Sequence, residues 1–495
     1  MRGVAHYYTL TDEQSDDHDG EIEEIGGSVV REGEVMSGLE APSGHTTVVS
    51  NREDRRDSSD SVFFAEVEDG RPVPGVAVNL SNAIIGAGII GLPYSLKLAG
   101  LWFGLILLVV MAIVTHISLK LLIRAGILLR VRSYEETAKL ALGRWGEIAV
   151  LAGQFFFDYG AALSYLIITG DTASEVMEYL LGGNFTGLRQ LCILALACGG
   201  MLPLCMLRDI AKLERYSEVS VLTVFVVVVI IFVKLCLKGP GLEGVVFVTT
   251  EPMDVVQAIG IFCFAFVCQD CIFLYYNTLS NGSHARFSRV SAYAISASTV
   301  ICSLMGVSGY LAFGNDTDPN VLSNYAFDDI SAILMRAMYA FTMVLTYPIC
   351  FFVIRQVMHS LLVPAGSPDW VPVGQVSTKR HVAYTLLLFF TTVGITLVVK
   401  NLGTVMSITG NLAGSFLGFI LPGLISLSPT VQRAALRRKV RALSREDGLE
   451  GMDEDSLGTM KEDARTFLRP ALLAPWLLVI FGAVSAILGI VTAVV

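Results

Sequence analysis

The chain has 495 residues, 53% hydrophobic and only 16% charged, with a mean hydropathy of +0.61 and a formal net charge of −10. Soluble domains carry roughly 25% charged residues, so the composition excludes an ordinary soluble enzyme or a nucleic-acid-binding protein and reads as a polytopic membrane protein. The negative charge is local, because the first 75 residues hold 18 acidic against 6 basic side chains.

Residues 1–75 read as a disordered acidic cytoplasmic tail, poor in aromatics and without an amphipathic period. The tail begins polar and acidic, so it is not expected to be a signal peptide. Apolar windows of about 20 residues, the length that crosses a bilayer, follow at 76–97, 101–123, 148–170, 188–207, 217–237, 255–276, 288–313, 330–356, 381–400, 404–428 and 471–494. The expected organisation is an all-α core over 76–430, a basic cytoplasmic loop over 431–470 and a last membrane helix over 471–495. Lys and Arg collect in alternate loops, among them Arg130, Arg132, Lys379, Arg380, Arg433 and Arg437, which places the N-terminus inside by the positive-inside rule. The sequons at Asn184 and Asn315 then fall in outer loops, where a glycan can be added. Those at Asn79 and Asn281 fall in the membrane and inside.

The first span, NLSNAIIGAGIIGLPY from Asn79 to Tyr94, contradicts its own apolar setting. Asn79, Asn82 and Gly86 share one helix face, and Gly86, Gly88, Gly91 and Pro93 remove side chains and a donor that a continuous helix needs. Hydrocarbon leaves unpaired backbone groups without water, so such a break is tolerated only against protein or a wet cavity. A broken membrane helix with a polar face is the pattern of a solute-binding site.

In the third span Asp158 is expected to pair with another helix or to line the pathway. Ser164 and Tyr165 can offer hydroxyls to a carboxylate, and Asp171 and Glu175 are expected to be solvated at the outer end. The sixth span carries Cys268, Gln269 and Asp270 (CFAFVCQDCIFLYYN). If spans 1–5 and 6–10 are inverted repeats, this pair faces the Gly86-Ala87-Gly88 stretch across a second break; the alternative is that Asp270 is merely hydrated at the inner mouth. In the eighth span Thr342 and Thr346 lie at i, i+4, a hydroxyl pair suited to a small cation such as sodium, or else to bonding their own helix carbonyls. All nine cysteines lie in or beside apolar segments and read as small buried hydrophobes.

The stretch Asn79–Gly100 closely resembles the first span of the amino acid/auxin permease superfamily, and within it the sodium-coupled neutral amino acid transporter group. LSYLIITGD, FCFAFVC, VSGYLAFG and VLTYP resemble that group in the same order. The resemblance implies a leucine-transporter-type fold of about eleven helices, a 5+5 inverted repeat plus one more. It implies symport of a neutral amino acid across a plasma membrane, with a vacuolar or lysosomal membrane as the alternative. The substrate is expected at Asn79, Gly86, Ala87, Gly88, Tyr165, Cys268 and Gln269. Sodium is expected at Asn82, Ile85 and Thr346, with Thr342 beside it and no other cofactor. Two departures stand out. Gln269 and Asp270 follow Cys268 where many members carry a histidine, which makes a proton taken by Asp270 the alternative coupling ion; the external cysteine pair of several members is also missing. An amino-acid sensor signalling through the acidic tail is the competing function, and no nucleophile–base or phosphate-loop spacing supports an enzyme.

Overall fold

Nine helices among the described residues are long and apolar enough to cross a membrane, and the bent pair Val73–Ile84 with Gly88–Ala99 makes a tenth. The structure is a computed structural model and describes residues 70–183, 185–208, 211–241, 244–249, 251–363, 376–446 and 472–494. The acidic tail, apart from residues 70–75, lies outside these, as do Asn184 and most of the expected 431–470 loop.

In chain order the helices are α1 (Val73–Ile84), α2 (Leu92–Ala99), α3 (Leu101–Leu129), α4 (Tyr134–Leu142), α5 (Arg144–Leu181), α6 (Leu188–Leu196), α7 (Leu202–Cys205) and α8 (Ala211–Lys238). There follow α9 (Pro252–Phe266), α10 (Ile272–Asn277), α11 (His284–Phe313), α12 (Ile330–Leu362), α13 (Thr378–Val398), α14 (Leu402–Thr409), α15 (Leu421–Leu427), α16 (Pro429–Glu446) and α17 (Leu473–Val494). Side-chain caps fix several starts: Ser133 accepts from the Glu136 N–H, Ser283 from Arg286, Asp329 from Ser331 and Ala332, and Asn401 from Thr404, each satisfying donors that a helix start leaves open.

The sixth expected span is interrupted like the first: α9 has 15 residues, and α10 resumes after Val267–Cys271. Two expectations of form need correction. Part of the basic loop is the helix α16, whose Val431 and Ala435 are buried while Arg433 and Arg437 face out. The loop after the second span carries α4.

The fourth and tenth spans are also not uniform. A π turn, Ala197–Met201, joins α6 to α7, and two more, Gly410–Gly414 and Phe416–Ile420, join α14 to α15. Pro422 explains what surrounds the last of these. It has no N–H to give the preceding turn, and the carbonyls left short are taken from outside the helix. Leu417 O accepts from the Tyr134 hydroxyl at 2.7 Å, and Gly418 O from Gln269 Nε2 at 3.1 Å and from Ser118.

Burial separates the centre from the rim. The apolar windows of α5 and of the tenth span are 72% buried, those of α8 and α17 only 28%. Rim helices present apolar stripes, such as Ile106, Val110 and Ile113 on α3, to the outside, which costs nothing where the solvent is lipid. At the centre, close approach depends on missing side chains. A Cβ on Gly410 would stand 1.8 Å from the Gly260 carbonyl oxygen, so α9 and the tenth span cross with backbone against backbone. No cysteine is disulfide-bonded, and Cys198 and Cys236 are exposed rather than buried.

Asp171 and Glu175 are not solvated as expected. Asp171 pairs with Arg189 at 2.6 Å, and Glu175 Oε2 lies 2.5 Å from Nε of Arg336, which is fully buried. Arg336 also donates to the carbonyls of Leu322 and Tyr325 at 3.0 and 2.7 Å, tying the segment before α12 to the bundle. Removing the acid leaves a buried cation uncompensated, which costs about 3–5 kcal/mol. Glu175→Ala should therefore lower the melting temperature in detergent well beyond Glu147→Ala, whose partner Lys139 is exposed; equal shifts would remove the pair from any central role.

Candidate functional site

The first span breaks where its glycines stand. α1 ends at Ile84, Gly86 takes φ −66° and ψ −144°, and a 3₁₀ turn, Ala87–Gly91, leads into α2, with a bend of 53°. Around the break the Ile85 N–H closes α1 on the Ser81 carbonyl at 2.9 Å, the Ile89 N–H reaches the Gly86 carbonyl at 3.4 Å, and helix ends of this kind leave backbone groups without an intrahelical partner. The break thus offers carbonyl oxygens at the negative end of one half-helix and N–H groups at the positive end of the next.

The sixth span breaks opposite. A Cβ on Gly88 would stand 2.6 Å from Cα and 2.8 Å from Cβ of Ala265, so the two interrupted helices touch through their backbones. No glycine or proline opens the second break. Gln269 does so with its side chain: Oε1 accepts from its neighbour's N–H (Cys268) at 3.0 Å, and Nε2 donates to Ser118 at 3.2 Å and to the Gly418 carbonyl. The expected substrate role of Gln269 meets a fully buried side chain whose amide is bonded to protein. Cys268 is buried too, and its carbonyl accepts from the Cys271 thiol at 3.3 Å. The Asp270 carboxylate accepts from the N–H of Cys271 and from its own, which settles it at the start of α10.

α5 supplies the third wall. The position a Gly86 Cβ would take lies 3.6 Å from the Tyr165 hydroxyl, and the Cys350 thiol of α12 stands beside that hydroxyl. Ser164 is bonded to its own helix, at the Gly160 carbonyl. Asp158 is 4% exposed, and its Oδ2 has no hydrogen-bond partner among the described residues. Phe157 beside it packs on Phe264 at the end of α9, ring centroids 5.7 Å apart. The structure therefore brings together Gly86, Gly88, Tyr165 and Asp270, all expected, with Asp158 and Cys350. Sequence reading had no signal for Cys350; for Asp158 the signal was a lone acid in an apolar helix.

The expected cation group is less gathered. Asn79 and Asn82 are half-buried on α1 and Ile85 is buried at its end. On α12 the Thr342 hydroxyl donates to the Met338 carbonyl at 3.0 Å and Thr346 to that of Thr342 at 2.8 Å, the bonding of a helix threonine to its own turn. The Thr346 hydroxyl also lies 3.4 Å from Ser220 of α8. Asn315 is exposed in the turn after α11.

Contacts tie down the outer ends of both broken spans. On one side the turn Val321–Asn324, with Val321 and Leu322 fully buried, packs near Gly309 and Pro93, and Lys97 holds the neighbouring Thr317 carbonyl at 3.0 Å. On the other, Arg71 exchanges backbone bonds with Thr278 and Ser280 at 2.9 and 3.0 Å, clasping the start of α1 to the end of the sixth span.

Comparison with known proteins adds four findings. A family model described as "Transmembrane amino acid transporter protein" matches residues 72–443. A Mus musculus protein named "Putative sodium-coupled neutral amino acid transporter 11" is 33% identical over 374 residues, 74% of this chain and 80% of its own. "Vacuolar amino acid transporter 2" of Saccharomyces cerevisiae is 29% identical over 374 residues, 73% of this chain and 78% of its own. Among solved structures, MhsT in complex with L-phenylalanine is similar over 83% of this chain and 98% of its own, with a TM-score of 0.54 and 14% identity. That likeness gives the architecture, a leucine-transporter-type helical fold.

Proposed function

This chain belongs to the transmembrane amino acid transporter family, and from that membership we propose that it moves neutral amino acids across a membrane by cation-coupled alternating access. The family is one of transporters and not of enzymes. The observation that carries the reading is the meeting of two helix breaks at Gly88 and Ala265 with the Tyr165 hydroxyl over Gly86. A zwitterion's carboxylate is received by the N–H groups of Gly86 and Gly88 and by Tyr165; none of these groups reads the side chain, so the part common to all amino acids is bound. The contacts at the outer ends of the broken spans are the two gates, which open in turn.

For the coupling ion we read sodium, held by carbonyl oxygens around Asn82 and Ile85 and by the Thr346 hydroxyl. In this structure that hydroxyl leans on Ser220, so on this reading the site completes as α1 moves against α12. The basic loops support a cytoplasmic N-terminus by the positive-inside rule, and we favour the plasma membrane.

Proteoliposomes holding the full chain test this directly: amino acid uptake should follow an imposed sodium gradient. Uptake driven by a pH gradient alone would move the coupling to a proton, and indifference to both would sink symport. Thr346→Ala should raise the half-saturating sodium concentration roughly tenfold, the effect of about 1.4 kcal/mol of lost binding. An unchanged sodium dependence would take Thr346 out of the site.

A further inference from the structure

Asp158 is buried at membrane depth, and the carboxylate-binding reading gives it nothing to do. One turn before it on α5, Gln154 is 3% exposed with an unpartnered Oε1. Across from Asp158 stands Asp270, close enough for the two carboxylates to repel. The titratable groups facing Asp158 are Asp270 and Cys271 of the second break, Tyr165 of its own helix and Cys350 of α12. Asp270 also faces Tyr134 and Glu135 of α4, its neighbour Cys268, and Tyr275 of α10. No lysine, arginine or histidine is among them. Two facing carboxylates away from water are costly unless positive charge joins them, and the orphaned atoms on this face of α5, Gln154 Oε1 and Asp158 Oδ2, are both acceptors. The place is complementary to a donor-rich cation.

Its distance from the carboxylate end of the site is set by α5. Asp158 precedes Tyr165 by seven residues, two turns on the same face, about 10 Å along the axis. That is near the separation of the two charged ends of an extended lysine or arginine. Cys350 lies between the two ends, beside Tyr165 and near both Asp158 and Asp270. We propose that cationic amino acids are substrates of this chain, with the terminal ammonium or guanidinium held between Asp158 and Asp270 while the α-carboxylate lies at Gly86 and Tyr165. The inference rests on the transport reading above and extends its substrate class.

The test is competition in proteoliposomes carrying the full chain, against uptake of whichever labelled neutral amino acid is transported. Lysine is compared with norleucine, the same chain without the ammonium, and arginine with citrulline. The wild type should favour lysine over norleucine by about tenfold or more, and Asp158→Asn should cut that ratio by at least tenfold, as expected when a buried charge loses its partner. A wild type that prefers norleucine, or an Asp158→Asn whose ratio is unchanged, overturns the inference. Should Asp158→Asn fail to reconstitute, the wild-type ratio and Asp270→Asn decide in the same way. Loss of pH-driven neutral uptake in Asp158→Asn, without lysine competition in the wild type, gives the pair to a proton and also overturns it. Failure of every amino acid to be taken up defeats the transport reading itself, a distinct result.

Discussion

Gly86→Leu should reach the membrane as a folded protein and take up almost no amino acid. A Cβ at Gly86 meets only the Tyr165 hydroxyl at 3.6 Å and the Ala83 carbonyl at 3.8 Å, ordinary contacts, and the residue's φ of −66° suits any L-residue. No neighbouring atom therefore blocks the added Cβ. The added isobutyl group fills the space between the first break and Tyr165, where the substrate carboxylate is placed. Uptake should fall about a hundredfold or more, the effect of roughly 3 kcal/mol of lost binding, while the melting temperature in detergent changes little. Gly86→Ala should be intermediate. Normal uptake by Gly86→Leu at normal expression would put the site elsewhere.

Gly88→Ala should fail in the opposite way, by losing the fold's central contact. Only two positions away, its Cβ would stand 2.6 Å from Ala265 Cα and 3.3 Å from Ala265 N. Those are backbone atoms of a buried helix and cannot rotate aside. The two interrupted spans must separate, and overpacking of this kind costs about 3 kcal/mol, in addition to misplacing both breaks. Thermal unfolding and uptake should both suffer, from a single methyl group. A Gly88→Ala protein with wild-type melting would mean that the two breaks do not touch, which would remove the observation on which the functional reading rests.

The pair of substitutions shows how legible this protein was. Gly86 and Gly88 looked alike in the sequence, two small residues in a segment that should not be continuous, and the break was legible because hydrocarbon punishes unpaired backbone. Which glycine borders open space and which borders another backbone was not legible, because that depends on a helix nearly 180 residues away. Gln269 makes the same point. Its polarity in an apolar span marked the second break correctly, but its partner is a carbonyl that Pro422 leaves without a donor, a vacancy created in another span. Thr342 and Thr346 share a face as their spacing requires, yet their hydroxyls go first to their own helix.

Hydropathy and spacing by themselves determined that the chain is a many-spanning helical membrane protein, where its spans lie, and that the first is interrupted at a polar, glycine-rich stretch. These are local properties, set by the period of the helix and the thickness of a bilayer. Only the tertiary structure decided that the two breaks meet at Gly88 and Ala265, that Tyr165 stands over Gly86, and that Asp158 faces Asp270 with no basic side chain among the described groups around them. A carboxylate's sequence neighbours give its depth in the membrane; its charge balance is fixed by the other helices packed against it.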